Sequence, residues 1–328
     1  MEVPKTSIKL NNGENIPVVG LGTWQCSKDE VQTAVHAALD VGYRHIDTAF
    51  MYQNEDAIGE ILQDYMKRGK VKREDLFIVT KLPPTHMDPS LVKRSLEMSL
   101  KNLKLSYVDL YLVHLPCQLV YDGDDNNLFP QDENGCLKAD PKSDLIATWK
   151  AMEHLVDLGL TKSIGVSNFL LSQVERICSF AKHKPVVNQV ECHIYFQQKK
   201  LYECCKKLGV VLTAYSPLGS PKRMEGLIKA NDPVPLEDPL IVEIAKEYGK
   251  TPAQILIRNL MQREIVVIPK SVHPERIRSN FDVFNFSLSE EDMQKIAAIR
   301  QYPKLVDFTP GLQNHPECPW EGNSKAPL

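Results

Sequence analysis

Two hydrophobic rhythms alternate along this chain. Short runs such as "LFIVTK", "YVDLYLVH", "KSIGVS" and "VVLTAYSP" are apolar at nearly every position. Between them lie longer stretches in which apolar residues recur every three or four positions, as Leu145, Trp149, Met152 and Val156 do in "DLIATWKAMEHLVDLG". The first rhythm predicts strands buried on both faces, and the second predicts amphipathic helices. Local punctuation agrees. "SKDE" at Ser27–Glu30 reads as a capping box, Asp88-Pro89 as an N-cap followed by a first-turn proline, and Thr251, Pro252 and Gln254 as another capped start. Ahead of the alternation, "SIKLNNGENIPVVGLG" reads as a hairpin turning at Asn12-Gly13, a dipeptide that accepts the positive φ of tight turns.

About eight strand–helix units follow the hairpin, beginning at "VVGLG". Parallel strands buried on both faces and joined through helices predict an α/β fold, a closed (β/α)₈ TIM barrel forming one domain over residues 1–328. A doubly wound open sheet is the alternative, but it would carry G-x-G-x-x-G after its first strand, where this chain has only "GLGT". Two long loops interrupt the rhythm, near 117–142 and 217–238, and an extended C-terminal tail without helical period runs from Tyr302 to Leu328. Loops of that length are commonly lids.

Composition narrows the function classes. A net charge of −3 gives no reason to expect nucleic acid or an acidic membrane as partner. No apolar run of spanning length and no signal-peptide pattern is present, so a cytoplasmic location is expected. Eight cysteines without C-x-x-C or zinc spacing read as free thiols, and the scattered histidines form no H-E-x-x-H, so no metal is expected.

Candidate chemistry gathers where the strands end. "RHID" ends at Asp47, "LFIVTK" at Lys81, "YLVH" at His114, "IGVSN" at Ser167 and Asn168, "VVNQVE" at Gln189 and Glu191, "LTAYS" at Tyr215 and Ser216, and "VVIPKS" at Lys270 and Ser271. In a barrel these ends converge on the face that carries active sites. Tyr52, five residues beyond Asp47, completes a set suited to proton donation. A free phenol has a pKa of about 10. A nearby Lys81 ammonium would lower it, Asp47 would hold that ammonium, and His114 could orient a carbonyl. Such a set protonates a forming alkoxide but supplies no reductant, so a hydride-carrying cofactor is implied. Ser167, Asn168 and Gln189 suit a carboxamide, Tyr215 offers a ring face, and Lys270, Ser271 and Arg276 lie where a strand runs into a helix start, an anion site.

These residues lie in segments that resemble the aldo-keto reductase family, in its aldose reductase-like form, over essentially the whole chain. The segments are "GLGTW", "GYRHIDTAFMYQNE", "IVTKL", "DLYLVHLP", "GVSNF", "NQVECH", "AYSPLGS" and "IPKSVHPERIRSNF". The resemblance implies a TIM barrel without a Rossmann domain, a monomer, NADPH as cofactor and a small-molecule carbonyl as substrate. It implies Tyr52 as general acid, Lys81 lowering its pKa, Asp47 paired with Lys81, and His114 orienting the carbonyl. Ser167, Asn168 and Gln189 would hold the nicotinamide carboxamide, with Tyr215 stacked on its ring. Gly22, Thr23 and Trp24 would lie near cofactor and substrate, and Ser216, Leu218 and Ser220 along the pyrophosphate. Lys270, Ser271, Val272, Arg276 and Asn280 would hold the adenosine end with its 2′-phosphate. Trp24, Met51, Tyr52, Pro83, His114, Leu115 and, from the tail, Trp320 would line the substrate pocket. Leu115 stands where many members carry tryptophan, Pro83 where many carry an aromatic, and His273 and Ser279 also depart from the pattern. Fewer aromatic walls imply a roomier pocket suited to lipophilic or steroid-like carbonyls. Two other functions fit the same fold: a cofactor-binding protein with little turnover, and a Schiff-base enzyme using Lys81 as nucleophile.

Overall fold

The computed structural model describes residues 5–307, 312 and 315–318. The hairpin pairs β1 (Ser7–Lys9) with β2 (Asn15–Pro17) in antiparallel register. Eight strands follow in one sheet: β3 (Gly20–Gly22), β4 (His45–Asp47), β5 (Phe77–Leu82), β6 (Val108–Val113), β7 (Thr161–Ser167), β8 (Val187–Glu191), β9 (Val211–Tyr215) and β10 (Val266–Val267). Neighbours in sequence are neighbours in space and all pair in parallel. A parallel bridge between Val19 and Val267, with the Val267 amide donating to the Val18 carbonyl at 2.9 Å, joins the last strand to the first. The architecture is the (β/α)₈ barrel that the alternation predicts.

The helices are α1 (Lys28–Val41), α2 (Glu55–Lys67), α3 (Pro89–Leu103), α4 (Leu145–Asp157), α5 (Leu171–Phe180), α6 (Lys199–Leu208), α7 (Pro239–Tyr248), α8 (Pro252–Gln262), α9 (Pro274–Phe281) and α10 (Glu290–Ala297). The capping signals form as read. Ser27 and Glu30 make a reciprocal box, the Asp88 carboxylate accepts the Ser90 amide, and Thr251 pairs with Gln254. Each satisfies amide donors that a helix start otherwise leaves without partners.

The pleat sorts the strand side chains into two cores. Ile46, Ile78, Tyr111, Val113, Ile164, Val166, Val190 and Leu212 face outward and pack with the helices. Phe77, Val79, Leu110, Leu112, Val187 and Val266 fill the barrel interior together with Leu10 and Ile16 of the hairpin, which thereby plugs the barrel's N-terminal end. Side chains alternate along a strand. The inward sequence Phe77, Val79 therefore continues to Lys81; Leu110 and Leu112 continue to His114; Val187 continues to Gln189. Apolar interior and polar mouth are two ends of the same faces.

Closure depends on a residue with no side chain. The Gly22 amide donates to the Pro269 carbonyl at 3.3 Å, and a Cβ on Gly22 would stand 2.6 Å from the Ile268 carbonyl oxygen. Backbone on the facing segment cannot yield as a flexible side chain can. Gly22→Ala is expected to destabilise the fold by about 1–3 kcal/mol, the range for overpacking a tight interior. A lowered urea midpoint with unchanged slope would register that loss.

Candidate active site

At the mouth the Lys81 ammonium is fully buried. It donates to Asp47 Oδ1 at 2.6 Å and to the Thr48 carbonyl at 2.8 Å. The other oxygen of Asp47 accepts from Gln189 Nε2 at 2.6 Å, and the Asp47 carbonyl accepts from Thr23 Oγ1 at 2.9 Å. One aspartate thus ties together the ends of β3, β4, β5 and β8. Burial pulls the Lys81 ammonium below its ordinary value, and the adjacent Asp47 opposes that pull. An isolated charge here would be very costly; paired and hydrogen-bonded it is tolerated.

Tyr52 sits at the end of a short 3₁₀ turn, Phe50–Tyr52, that leaves β4, with Met51 half-buried beside it. Lys81 Nζ lies 5.1 Å from the Tyr52 ring centroid, and the His114 ring meets Tyr52 edge-on at 5.7 Å. Asp47, Tyr52, Lys81 and His114 therefore share one mouth. The electrostatics correct one expectation. Burial pushes the Tyr52 phenol well above its ordinary value and Asp47 pushes the same way; Lys81 does not offset them. The Asp47 carboxylate takes up the ammonium's charge, so the phenol is held protonated rather than poised toward phenolate.

His114 moves in the opposite sense. Burial holds the imidazole well below the usual histidine range, with Lys81 adding to the effect, so the ring is neutral at physiological pH. Its Nδ1 is buried without a hydrogen-bond partner.

Around these groups lies a wall of amide and hydroxyl groups. Ser167 Oγ donates to the Gln189 carbonyl at 2.9 Å, Asn168 Nδ2 to the His114 carbonyl and to Ser167 Oγ at 3.1 Å each, and the Tyr215 hydroxyl to Asn168 Oδ1 at 2.8 Å. Asn168 takes the left-handed conformation (φ 65°), which turns its side chain back to the mouth. Ser216 and Ser220, with φ of 50° and 44°, bracket a tight turn and join through their hydroxyls at 2.6 Å, with Leu218 half-buried between them. Farther round, Lys270 is exposed ahead of α9 and Arg276 is exposed within its first turn. Ser271 Oγ accepts the His273 amide at 3.2 Å, Asn280 is buried, and Val272 packs on the core. Trp24 is half-buried, Pro83 buried, and Leu115 packs beside Cys117, Leu119 and Leu312. Trp320 lies outside the described residues.

This donor set suits a nicotinamide dinucleotide: amide and hydroxyl groups at the mouth, a ring beside them, and cations by a helix N-terminus at the far end. Gly22 and Thr23 serve the frame directly, through barrel closure and the bond to Asp47. Three participants escaped sequence reasoning. Glu55, on the outer side of β5, accepts from Thr80 Oγ1 at 2.6 Å and Asn102 Nδ2 at 3.2 Å, with its carboxyl raised by burial. Its only signal was the acid closing "MYQNE". Glu191, noted as a strand end without a role, accepts the Leu305 and Val306 amides at 2.7 and 2.9 Å and fastens the tail. Lys304 reaches Asn168 Oδ1 at 3.3 Å from that tail, where no periodicity marked it.

A family model described as the aldo/keto reductase family matches residues 18–301. Prostaglandin F synthase 1 of Bos taurus is 44% identical over 325 residues, covering 98% of this chain and 99% of that protein. Aldo-keto reductase family 1 member D1 of Mus musculus is 45% identical, covering 95% and 96%, and member A1 of Gallus gallus is 48% identical, covering 90% and 88%. Among solved structures, the aldose reductase of Schistosoma japonicum superposes with a TM-score of 0.87 at 43% identity, covering 96% of this chain and 99% of that one.

The neutral histidines of the interior carry a pH signature. Burial depresses His45, His86 and His114 below their unfolded value of about 6.5, so below that pH the unfolded chain takes up protons that the native state refuses. Each such group costs up to about 1.4 kcal/mol per pH unit below that point. Denaturant titrations from pH 7 to pH 5 are expected to show falling stability, with a shallower fall in His114→Gln.

Proposed function

The chain belongs to the aldo/keto reductase family, whose members are oxidoreductases, and from that premise we propose that it reduces aldehydes or ketones to alcohols with NADPH, Tyr52 acting as the general acid. The observation that carries this reading is the grouping of a protonated Tyr52, a buried Lys81–Asp47 pair and a neutral His114 at one barrel mouth. Ser167, Asn168, Gln189 and Tyr215 would hold a reduced nicotinamide, and the chemistry that group would supply is hydride donation to a carbonyl carbon.

The protein's own groups manage the oxygen. As negative charge grows there, the Tyr52 hydroxyl donates its proton. The neutral His114 ring donates a hydrogen bond that fixes the carbonyl and spreads the developing charge. As the proton leaves and Tyr52 gains negative charge, Lys81, 5.1 Å from the ring centroid, is the cation that would stabilise the phenolate, and Asp47 keeps it in place. The raised pKa keeps the phenol protonated before reaction and makes it a weak acid, so its proton leaves only as the more basic alkoxide forms.

For the cofactor, Lys270 and Arg276 beside the first turn of α9 suit a 2′-phosphate better than a bare ribose hydroxyl pair. For the substrate, Leu115 and Pro83 replace aromatic walls with aliphatic ones, which favours a lipophilic carbonyl over a small polar sugar. The reading includes a monomer of one barrel domain acting in the cytoplasm.

Three measurements test it. Tyr52→Phe should lower turnover by about 10²–10⁴-fold, the usual yield of a positioned acid, while NADPH still binds. Loss of reduced-nicotinamide absorbance with an aldehyde gives the rate, and fluorescence quenching gives the binding. Arg276→Met should weaken NADPH by about ten- to a hundredfold and leave NADH unchanged, as expected for one charge-assisted contact. A carbonyl panel in which small polar sugars turn over far better than lipophilic ketones would remove the substrate part.

A further inference from the structure

All eight cysteines carry free thiols, but two of them meet across the mouth. Cys117 lies three residues beyond His114, on the loop that leaves β6. Cys318 lies near the end of the chain. They share a small apolar cluster with Leu119 and Leu312, against which Leu115 packs. The Cys117 thiol donates to the carbonyl of Glu317 at 3.3 Å, the peptide group immediately before Cys318, and the two thiols are within hydrogen-bonding reach.

This meeting is held from both sides. Glu317 is pinned to α5: its carboxylate accepts from Arg176 at 2.6 Å and Gln173 at 2.9 Å, and its carbonyl accepts from Gln173 Nε2 at 3.1 Å. His315 lies 3.1 Å from the Asp140 carbonyl through Nε2 and accepts the Glu317 amide at 3.0 Å through Nδ1. The tail segment carrying Cys318 is thus fixed to a helix and to the first long loop. Cys318 thereby shares one small cluster with Cys117.

We propose that Cys117 and Cys318 form a dithiol modification site that a low-molecular-weight disulfide such as oxidised glutathione converts to an intramolecular disulfide, stapling the tail to the loop that carries His114. Cys318 reacts first, because it keeps slight exposure while Cys117 is fully enclosed. The Cys318 thiolate attacks one sulfur of the reagent and breaks its S–S bond. A mixed disulfide forms, and the released thiolate takes up the proton Cys318 gave. The Cys117 sulfur then attacks Cys318 Sγ, expels the second thiolate and passes its proton to it. Two protein thiols are oxidised to one disulfide and one reagent disulfide is reduced to two thiols. Burial and the neighbouring Cys318 hold the Cys117 thiol far above the ordinary thiol range, which leaves little of it as the thiolate nucleophile, so it does not open the exchange itself. Within a mixed disulfide its partner lies in the same cluster, so the second step proceeds at high effective concentration.

The test uses the full-length folded protein with oxidised glutathione at neutral pH, read by intact mass and peptide mapping. Wild type is expected to lose two hydrogens in mass and to yield one cross-linked peptide pair joining Cys117 to Cys318. Cys117→Ser is expected to stop at a glutathione adduct on Cys318, and Cys318→Ser to give no cross-link. Protease should cleave the tail of oxidised wild type more slowly than that of the reduced protein. The proposal is overturned if wild type stays unlinked, or if the link forms elsewhere, for example among Cys178, Cys204 and Cys205, which neighbour one another between α5 and α6. Circular dichroism checks that each variant folds, and the wild-type peptide map decides even if one does not. No arm depends on turnover, so the outcome stands apart from the proposed carbonyl reduction.

Discussion

The mouth of this barrel is organised by one buried ion pair. Asp47 and Lys81 face each other at 2.6 Å on adjacent strands, with almost no solvent contact. Removing two charges from water costs several kcal/mol each, and mutual attraction repays that only when the remaining hydrogen-bonding capacity is filled. Here it is: the Thr48 carbonyl accepts a second ammonium proton and Gln189 Nε2 donates to the second carboxylate oxygen of Asp47. The pair therefore cannot be displaced without stranding a charge, which fixes the registers of the surrounding strand ends. Tyr52, His114 and the carboxamide wall are placed relative to it.

That constraint also explains the division of protonation states. A phenol held protonated and an imidazole held neutral stand in one mouth with the same cation, both chiefly because the surrounding protein strips water from them. Two groups of different charge type thus remain uncharged hydrogen-bond donors within one cleft. An ammonium left unpaired would have pulled the phenol toward phenolate; with Asp47 bound to it, that pull is spent on the carboxylate. The neutral donor set is a property of the environment as much as of the residue types.

Much of this was legible in the sequence because strands buried on both faces show as apolar runs, and an ionisable residue ending such a run is conspicuous. Asp47, Lys81, His114, Gln189 and Tyr215 stood out in that way. The hairpin turn and the helix caps were legible for a similarly local reason: each is a few adjacent residues with specific backbone demands. The direction of the Tyr52 shift was not, because it depends on how completely one carboxylate neutralises one ammonium, a matter of fractions of an ångström. Glu55, Glu191 and Lys304 were unreadable as participants for another reason. Their partners lie far along the chain, and nothing in a strand end or a proline-spaced tail names the amide or hydroxyl it will meet.

Barrel closure itself has a consequence for how the molecule comes into being. Val18, Val19 and Gly22 pair with Val267 and Pro269, so the first barrel strand finds its second neighbour only after about 250 further residues have left the ribosome. Until then a nascent chain presents two raw sheet edges, at β3 and at its growing end, each a template for pairing with another chain. The brevity of both edge strands limits that hazard, and the hairpin, made first, can already cover the floor on which the remaining strands assemble.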